Sequence, residues 1–437
     1  MPDEKRPQTR LEQVLRQRHW TVRTFLGHYR ETSGEDLSER QAYRWISGDL
    51  QKLPYPHSRA ALEHLFGEPV ERLFGPPYGV RPVAHAERHH VPLRGAARPD
   101  REGQVIAMAA DRARDFLARI EVSNVGQGML DQLMDDVRRL VTVYQQLPLA
   151  TVLAEIADTQ SRAFTLLEGR QRPDQARDLY LLAGITSGLM AKASHDLGSP
   201  HDALTQARTA HACADNAGHD GLRAWTRGLQ ALITYWTGRF AESVRYAEQG
   251  AAAAERSRGT AAIWLLSGKS RALAALGRLD EAHAAINQAS ELRERVQLDE
   301  LDELGGLCTF SRPRQLYYAA DALAWGGRPE APHTERVAIE ALNAYEVAPA
   351  AERAFGDEAG TRCDLAVARV FVGEIDGATE AVRPVLELPP AQRIHGIVSS
   401  TEHVLRALLR VESPGPGVAD LRGAVENFAA TRLALPS

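Results

Sequence analysis

Apolar residues recur every three or four positions along almost the whole chain, and strand-like alternation is scarce. This periodicity predicts an all-α protein. Near the start, Leu11, Val14 and Leu15 form the stripe of a first helix, and Val22, Phe25, Leu26 and Tyr29 that of a second, ending near Gly34. Ser38 is placed to cap a third helix running to Ser47 and closed by Gly48. Its pattern turns Ala42, Trp45 and Ile46 inward and leaves Glu39, Arg40, Gln41 and Arg44 on the opposite face. Past the turn Leu53-Pro54-Tyr55-Pro56, residues Ala60, Ala61, Leu62, Leu65 and Phe66 predict a fourth helix. A last short one spans Val70 to Phe74.

Beyond about residue 102 the helical pattern repeats itself. Ser187-Gly188-Leu189, Arg227-Gly228-Leu229 and Ser267-Gly268-Lys269 are each followed by a closing glycine, Gly198, Gly238 and Gly277, spaced 40 and 39 residues apart. A small residue follows five positions later in each case: Ala203, Ser243 and Ala282. Trp225 and Trp264 repeat at 39 residues. Small side chains let antiparallel helices approach, and the closing glycine ends the first helix of a pair. This is the pattern of tetratricopeptide-like (TPR-like) helix pairs, with a period longer than the usual ~34. Gly277-Arg278-Leu279-Asp280-Glu281-Ala282 and Gly373-Glu374-Ile375-Asp376-Gly377-Ala378 are its clearest copies, and a degenerate one lies at Ala324-Trp325-Gly326-Gly327. Five to seven pairs are expected, stacked as a right-handed α-solenoid.

Between the two parts, Gly75-Pro76-Pro77-Tyr78-Gly79-Val80-Arg81-Pro82, then Pro92, Gly95 and Pro99, exclude continuous helix. The expected organisation is a small domain over 1–75, a Pro/Arg-rich linker over 76–101 and the solenoid over 102–437. The linker's Arg81, Arg88, Arg94, Arg98 and Arg101 suit either a solvated spacer or an arm along a phosphate backbone.

The 437 residues carry a net charge of -5, which taken alone argues against a nucleic-acid partner. The distribution changes that inference. Residues 1–101 hold 17 Lys/Arg against 13 Asp/Glu, a balance of +4, so the remainder stands at -9. No apolar run reaches the length of a membrane span, about 18 residues or more, and the start MPDEKRPQTR has no secretory apolar stretch. Three dispersed cysteines, Cys213, Cys308 and Cys363, cannot form a complete disulfide framework, so a cytoplasmic, reducing location is expected.

No catalytic pattern emerges, and the chain is expected not to be an enzyme and to need no cofactor. Gly268-Lys269-Ser270 resembles the tail of a phosphate loop, but its leading glycine is replaced by Ile263 and it lies within a predicted helix. His211, Cys213 and His219 match no zinc spacing, and no metal site is expected. The solenoid's inner face is the better candidate for binding. Arg223, Trp225, Arg227 and Gln230, with Trp264, Arg312, Gln315 and Tyr318, combine arginine and aromatic groups suited to a peptide or partner helix. Each aromatic could equally be inter-helix core, and each arginine a solvated group.

A helix that exposes polar groups at its start, after a preceding helix and turn, is the arrangement that enters a DNA major groove. Arginine matches guanine there and glutamine adenine. The stretch Leu37 to Gly48, with the proline turn and the Leu65-Phe66-Gly67 helix end, resembles Cro/repressor-type (XRE-like) helix-turn-helix domains over about residues 9–74. By position, the resemblance puts Glu39, Arg40 and Arg44 at base-contacting places, and Ser38 at the helix cap and a phosphate. The turn Glu31-Thr32-Ser33-Gly34-Glu35-Asp36 is longer and more acidic than the family's, and Ile46 stands where a glutamate is usual.

The order of parts is similar to that of a family of actinomycete transcriptional regulators. So are Arg18-His19-Trp20, Leu53-Pro54-Tyr55-Pro56, Gly169-Arg170-Gln171-Arg172-Pro173 and Asp302-Glu303-Leu304-Gly305-Gly306, and the likeness covers nearly the whole chain. It implies a regulator of development or secondary metabolism, often repressive and nucleoid-associated. The expected partners are operator double-stranded DNA bound as a homodimer, and a peptide or protein on the solenoid. A scaffold that sequesters another regulator without touching DNA is the other reading, favoured by the acidic body and the acidic turn at Glu35-Asp36.

Overall fold

The computed structural model describes residues 7–18, 20–48, 53–77, 108–110, 112–113, 123–412 and 415–430. All regular structure among them is helical. The linker expected over 76–101 lies outside the described residues from position 78 onward. The chain divides into two compact units, Met1–Pro99 and Asp100–Ser437.

The first unit contains α1 (Arg10–Gln17), α2 (Val22–Ser33), α3 (Glu39–Ser47), α4 (Pro56–Phe66) and α5 (Val70–Leu73). Their ends follow from local chemistry. Thr9, Thr21 and Ser38 cap α1, α2 and α3 by accepting from backbone N–H groups of the first turn. Gly34, Gly48 and Gly67 close α2, α3 and α4 in the left-handed region that glycine favours. Gly48 is also sterically required, since a Cβ there would lie 2.7 Å from Thr9 Cγ2. Thr9 in turn donates its hydroxyl to the Ile46 carbonyl at 2.6 Å, tying α1 to the end of α3. Phe25, Tyr29, Trp45, Leu62 and Phe66 centre the core, with Tyr29 and Trp45 packed edge to face at 5.6 Å. Ile46, expected inward, is only half-buried, because it sits on the flank of the α3 stripe.

Fourteen longer helices follow among the described residues: α6 (Gln127–Val143), α7 (Leu149–Leu167), α8 (Pro173–Asp196), α9 (Pro200–Ala217), α10 (Asp220–Trp236), α11 (Phe240–Ser257), α12 (Ala261–Ala275), α13 (Leu279–Arg293), α14 (Arg312–Ala324), α15 (Ala331–Val347), α16 (Phe355–Val372), α17 (Ile375–Leu386), α18 (His395–Leu408) and α19 (Pro416–Ala430). Most pack on their neighbours in sequence. The even-numbered helices α6 to α18 also touch one another in succession and form one layer, with most of the odd-numbered helices outside it.

The glycines picked out by their spacing explain this packing. Gly198, Gly238, Gly277 and Gly373 all have positive φ and end inner helices. Ala203, Ser243, Ala282 and Ala378 are all buried at the close approach of the following helix. A Cβ on Gly188 would fall 2.1 Å from the Trp225 ring, and one on Gly228 would fall 2.7 Å from the Trp264 ring. The repeating tryptophans therefore occupy space that the repeating glycines vacate.

Residues 294–311 depart from the repeat. They cross from α13 to α14 through two single 3-10 turns, Asp302–Leu304 and Gly306–Cys308. Buried Asp302 holds this crossing by accepting from the Thr260 amide at 2.9 Å and from its hydroxyl. Trp225 Nε1 donates to the Leu307 carbonyl at 2.9 Å. Gly306 lies so close to the α6 backbone that a Cβ would approach the Val141 carbonyl to 2.2 Å. The layer curves far enough to bring α18 against α8, where the rings of His195 and His395 meet at 5.4 Å.

Candidate functional site: the exposed face of α3 and the cavity of the helical array

On the first unit, α3 buries Ala42 and Trp45 and presents Ser38, Glu39, Arg40, Gln41 and Arg44 to solvent. Ser38 accepts from the Gln41 amide at 3.3 Å, as its capping position requires. Arg40 and Arg44 form no ion pair with another described residue, so both guanidinium groups remain available. Tyr43, not singled out by the sequence, is 58% exposed on the same helix. The acidic turn is partly neutralised by Arg30, 3.3 Å from Asp36, and Glu35 lies 3.6 Å from the His57 ring.

In the second unit, the inner helices surround a cavity of about 90 Å³. Trp225, Trp264 and Tyr318, expected on a binding face, all line it, joined by Tyr144, Trp236 and Tyr317. The other five expected residues do not. Arg223 pairs with Asp215 at 2.8 Å and Asp220 at 2.9 Å, and Arg227 donates to buried Gln230 at 2.8 Å. Arg312 pairs with Glu340 and Gln315 accepts from Arg293, both beside a separate depression. The expected cluster is therefore divided between places.

The cavity also holds charged groups outside the expected set, among them Lys192, Arg271 and Arg314. Arg271 is fully buried on α12 and donates through Nε to Asp321 Oδ2 at 2.5 Å. Its guanidinium carbon lies 4.2 Å from the ring centres of both Tyr235 and Tyr318. Burial opposes its charge most strongly, but Asp321 and the surrounding tyrosines together outweigh burial and raise its pKa. Arg314 pairs with Asp357 at 2.7 Å, and Lys192 with Asp196 at 2.5 Å. Tyr144 donates to the same Asp196 at 2.9 Å. His195 is neutral, its pKa pushed down by burial first and then by Lys192. Aromatic walls with a few fixed charges are suited to orienting a ligand group.

His211, His219 and Lys269 all have ordinary partners. His211 shares a hydrogen bond with the Thr226 hydroxyl at 2.8 Å, and His219 caps α10 by accepting from the Leu222 amide at 3.0 Å. Lys269 lies within α12 and pairs with Glu248 at 2.9 Å. No protein-family model matches the chain, and no curated protein matches it.

Proposed function

We propose that the chain is a DNA-binding transcriptional regulator in which the first unit is an XRE-like helix-turn-helix domain and the second a TPR-like sensing array. The observation that carries the reading is the division of α3, with Trp45 and Ala42 in the core and Arg40, Gln41 and Arg44 exposed outward. Two such helices in a homodimer would read a palindromic operator. Dimerisation would also supply affinity that a weakly basic domain lacks. The array then serves as the regulatory part, its aromatic cavity with Arg271 receiving a side chain or terminus of a peptide or partner protein.

The test is a fluorescence-anisotropy titration of the full chain on DNA from upstream of its own gene, at several salt concentrations. Specific binding that weakens steeply with salt is expected, and Arg40→Ala with Arg44→Ala should each cost about 1–3 kcal/mol and relax base preference. Wild-type affinity in both variants for every sequence would remove the base-reading assignment.

A scaffold that binds another regulator is the second reading, favoured by the exposed rings of Tyr43 and Tyr55. It predicts an empty genome-wide crosslinking profile, with a single regulator recovered by pull-down and lost on Tyr43→Ala.

A further inference from the structure

Three successive inner helices each direct one metal-ligating side chain to a common point: Asp321 from α14, Asp364 from α16 and His403 from α18. One oxygen of each carboxylate and one ring nitrogen lie within 4.8 Å of one another. Asp364 is only 2% exposed, and its Oδ2 has no hydrogen-bond partner. A buried, unpartnered carboxylate is costly, and a second carboxylate beside it raises that cost. The Oδ2 of Asp321 is engaged by Arg271 and by the Tyr235 hydroxyl at 2.6 Å, leaving Oδ1 without a described donor. The His403 ring lies tilted against Trp325, with centroids 4.7 Å apart, and makes no hydrogen bond to a described residue. Asp321 and His403 also line a cavity of about 420 Å³, which gives the point access from solvent.

We propose that Asp321, Asp364 and His403 form a binding site for a divalent transition-metal ion of the zinc class. Two carboxylates and one imidazole are suitable ligands for such an ion, with a fourth position left to water or another ligand. Ligands about 2.1 Å from a tetrahedral ion lie about 3.4 Å apart, so modest side-chain rotations close the set. Arg271 and Tyr235 act as positioning residues, orienting the Asp321 carboxylate from its far oxygen. The His403 ring, with no hydrogen bond to a described residue, has a nitrogen lone pair to offer the ion. The ligands are 43 and 39 residues apart, close to the repeat length, so the ion clamps three consecutive repeats. The other candidate cluster is weaker, because His283 and His333 already approach Glu330 at 3.1 and 3.4 Å as ordinary imidazole–carboxylate pairs.

The site stands independently of any DNA contact and is tested on the full chain after chelator treatment. Titration with cobalt(II), followed by its d–d absorption, should show one ion per chain, displaced by zinc. Asp364→Asn and His403→Ala should each weaken binding by at least about 100-fold, whereas Glu330→Gln should leave it unchanged. Thermal melting of the metal-free proteins shows that the variants fold. Asp364→Asn removes an unpaired carboxylate and should melt no lower than wild type. Absence of stoichiometric binding in wild type would overturn the proposal and assign the pair a shared proton instead. Retention of binding in folded His403→Ala, or its loss in Glu330→Gln, would overturn it equally.

Discussion

Gly188, Gly228 and Gly268 occupy equivalent places in successive repeats, but only the first two are sterically required. Gly188 and Gly228 face Trp225 and Trp264, whereas a Cβ on Gly268 meets nothing within 4 Å. A third tryptophan at the same interval would fall at Glu303, inside the crossing that replaces the ordinary turn. Gly188→Ala should therefore destabilise the array by about 1–3 kcal/mol through overpacking. Gly268→Ala, inside a helix and unobstructed, should stabilise it by up to about 1 kcal/mol. Urea unfolding of the two variants decides the point, and shifts in the same direction would contradict it. The glycine–tryptophan register was legible in the sequence because both partners repeat. Arg271 was not: it is the single arginine of α12, and nothing local marks its guanidinium as enclosed by four aromatic rings. Asp321, Asp364 and His403 are separated by whole repeats, so no local motif connects them.

At the scale of the element, α3 shows how far capping chemistry defines a surface. Ser38 fixes where the helix begins, and thereby which residues share the outward face with Arg40 and Arg44. Ser38→Ala removes the acceptor for the Gln41 amide and should cost about 1 kcal/mol locally. Hydrogen exchange of the α3 amides in the full chain should then quicken about 5-fold, with Ser38→Asp restoring protection. Unchanged exchange in Ser38→Ala would mean that Trp45 packing alone holds the helix. Helix ends were readable because Ser38, Gly34 and Gly48 act locally. The exposure of Tyr43 was less readable, since an aromatic residue beside a buried Trp45 suits a core equally well. The crossing at 294–311 was not readable, because its path is held by Asp302 meeting Thr260, a contact 42 residues apart.

Across the whole molecule, the charge of -5 conceals a division between residues 1–101 at +4 and residues 102–437 at -9. The array also departs from a simple linear stack. A row of repeats that touch only their neighbours opens piecemeal from its ends. Here the crossing packs against α6 and α18 reaches back to α8, so distant repeats support each other. The three cysteines report on the consequence. Cys213, Cys308 and Cys363 are all buried in the array and unpaired, on α9, in the crossing and on α16. Burial raises all three thiol pKa values, that of Cys213 to about 11, so little thiolate forms near neutral pH even where reagent arrives. Alkylation of the native chain should therefore be negligible. Under increasing urea, all three cysteines should become labelled together, at the midpoint where helical circular dichroism is lost. Labelling of Cys363 well before Cys213 would show instead that the C-terminal repeats open alone and that the contact between α8 and α18 contributes little to cooperativity.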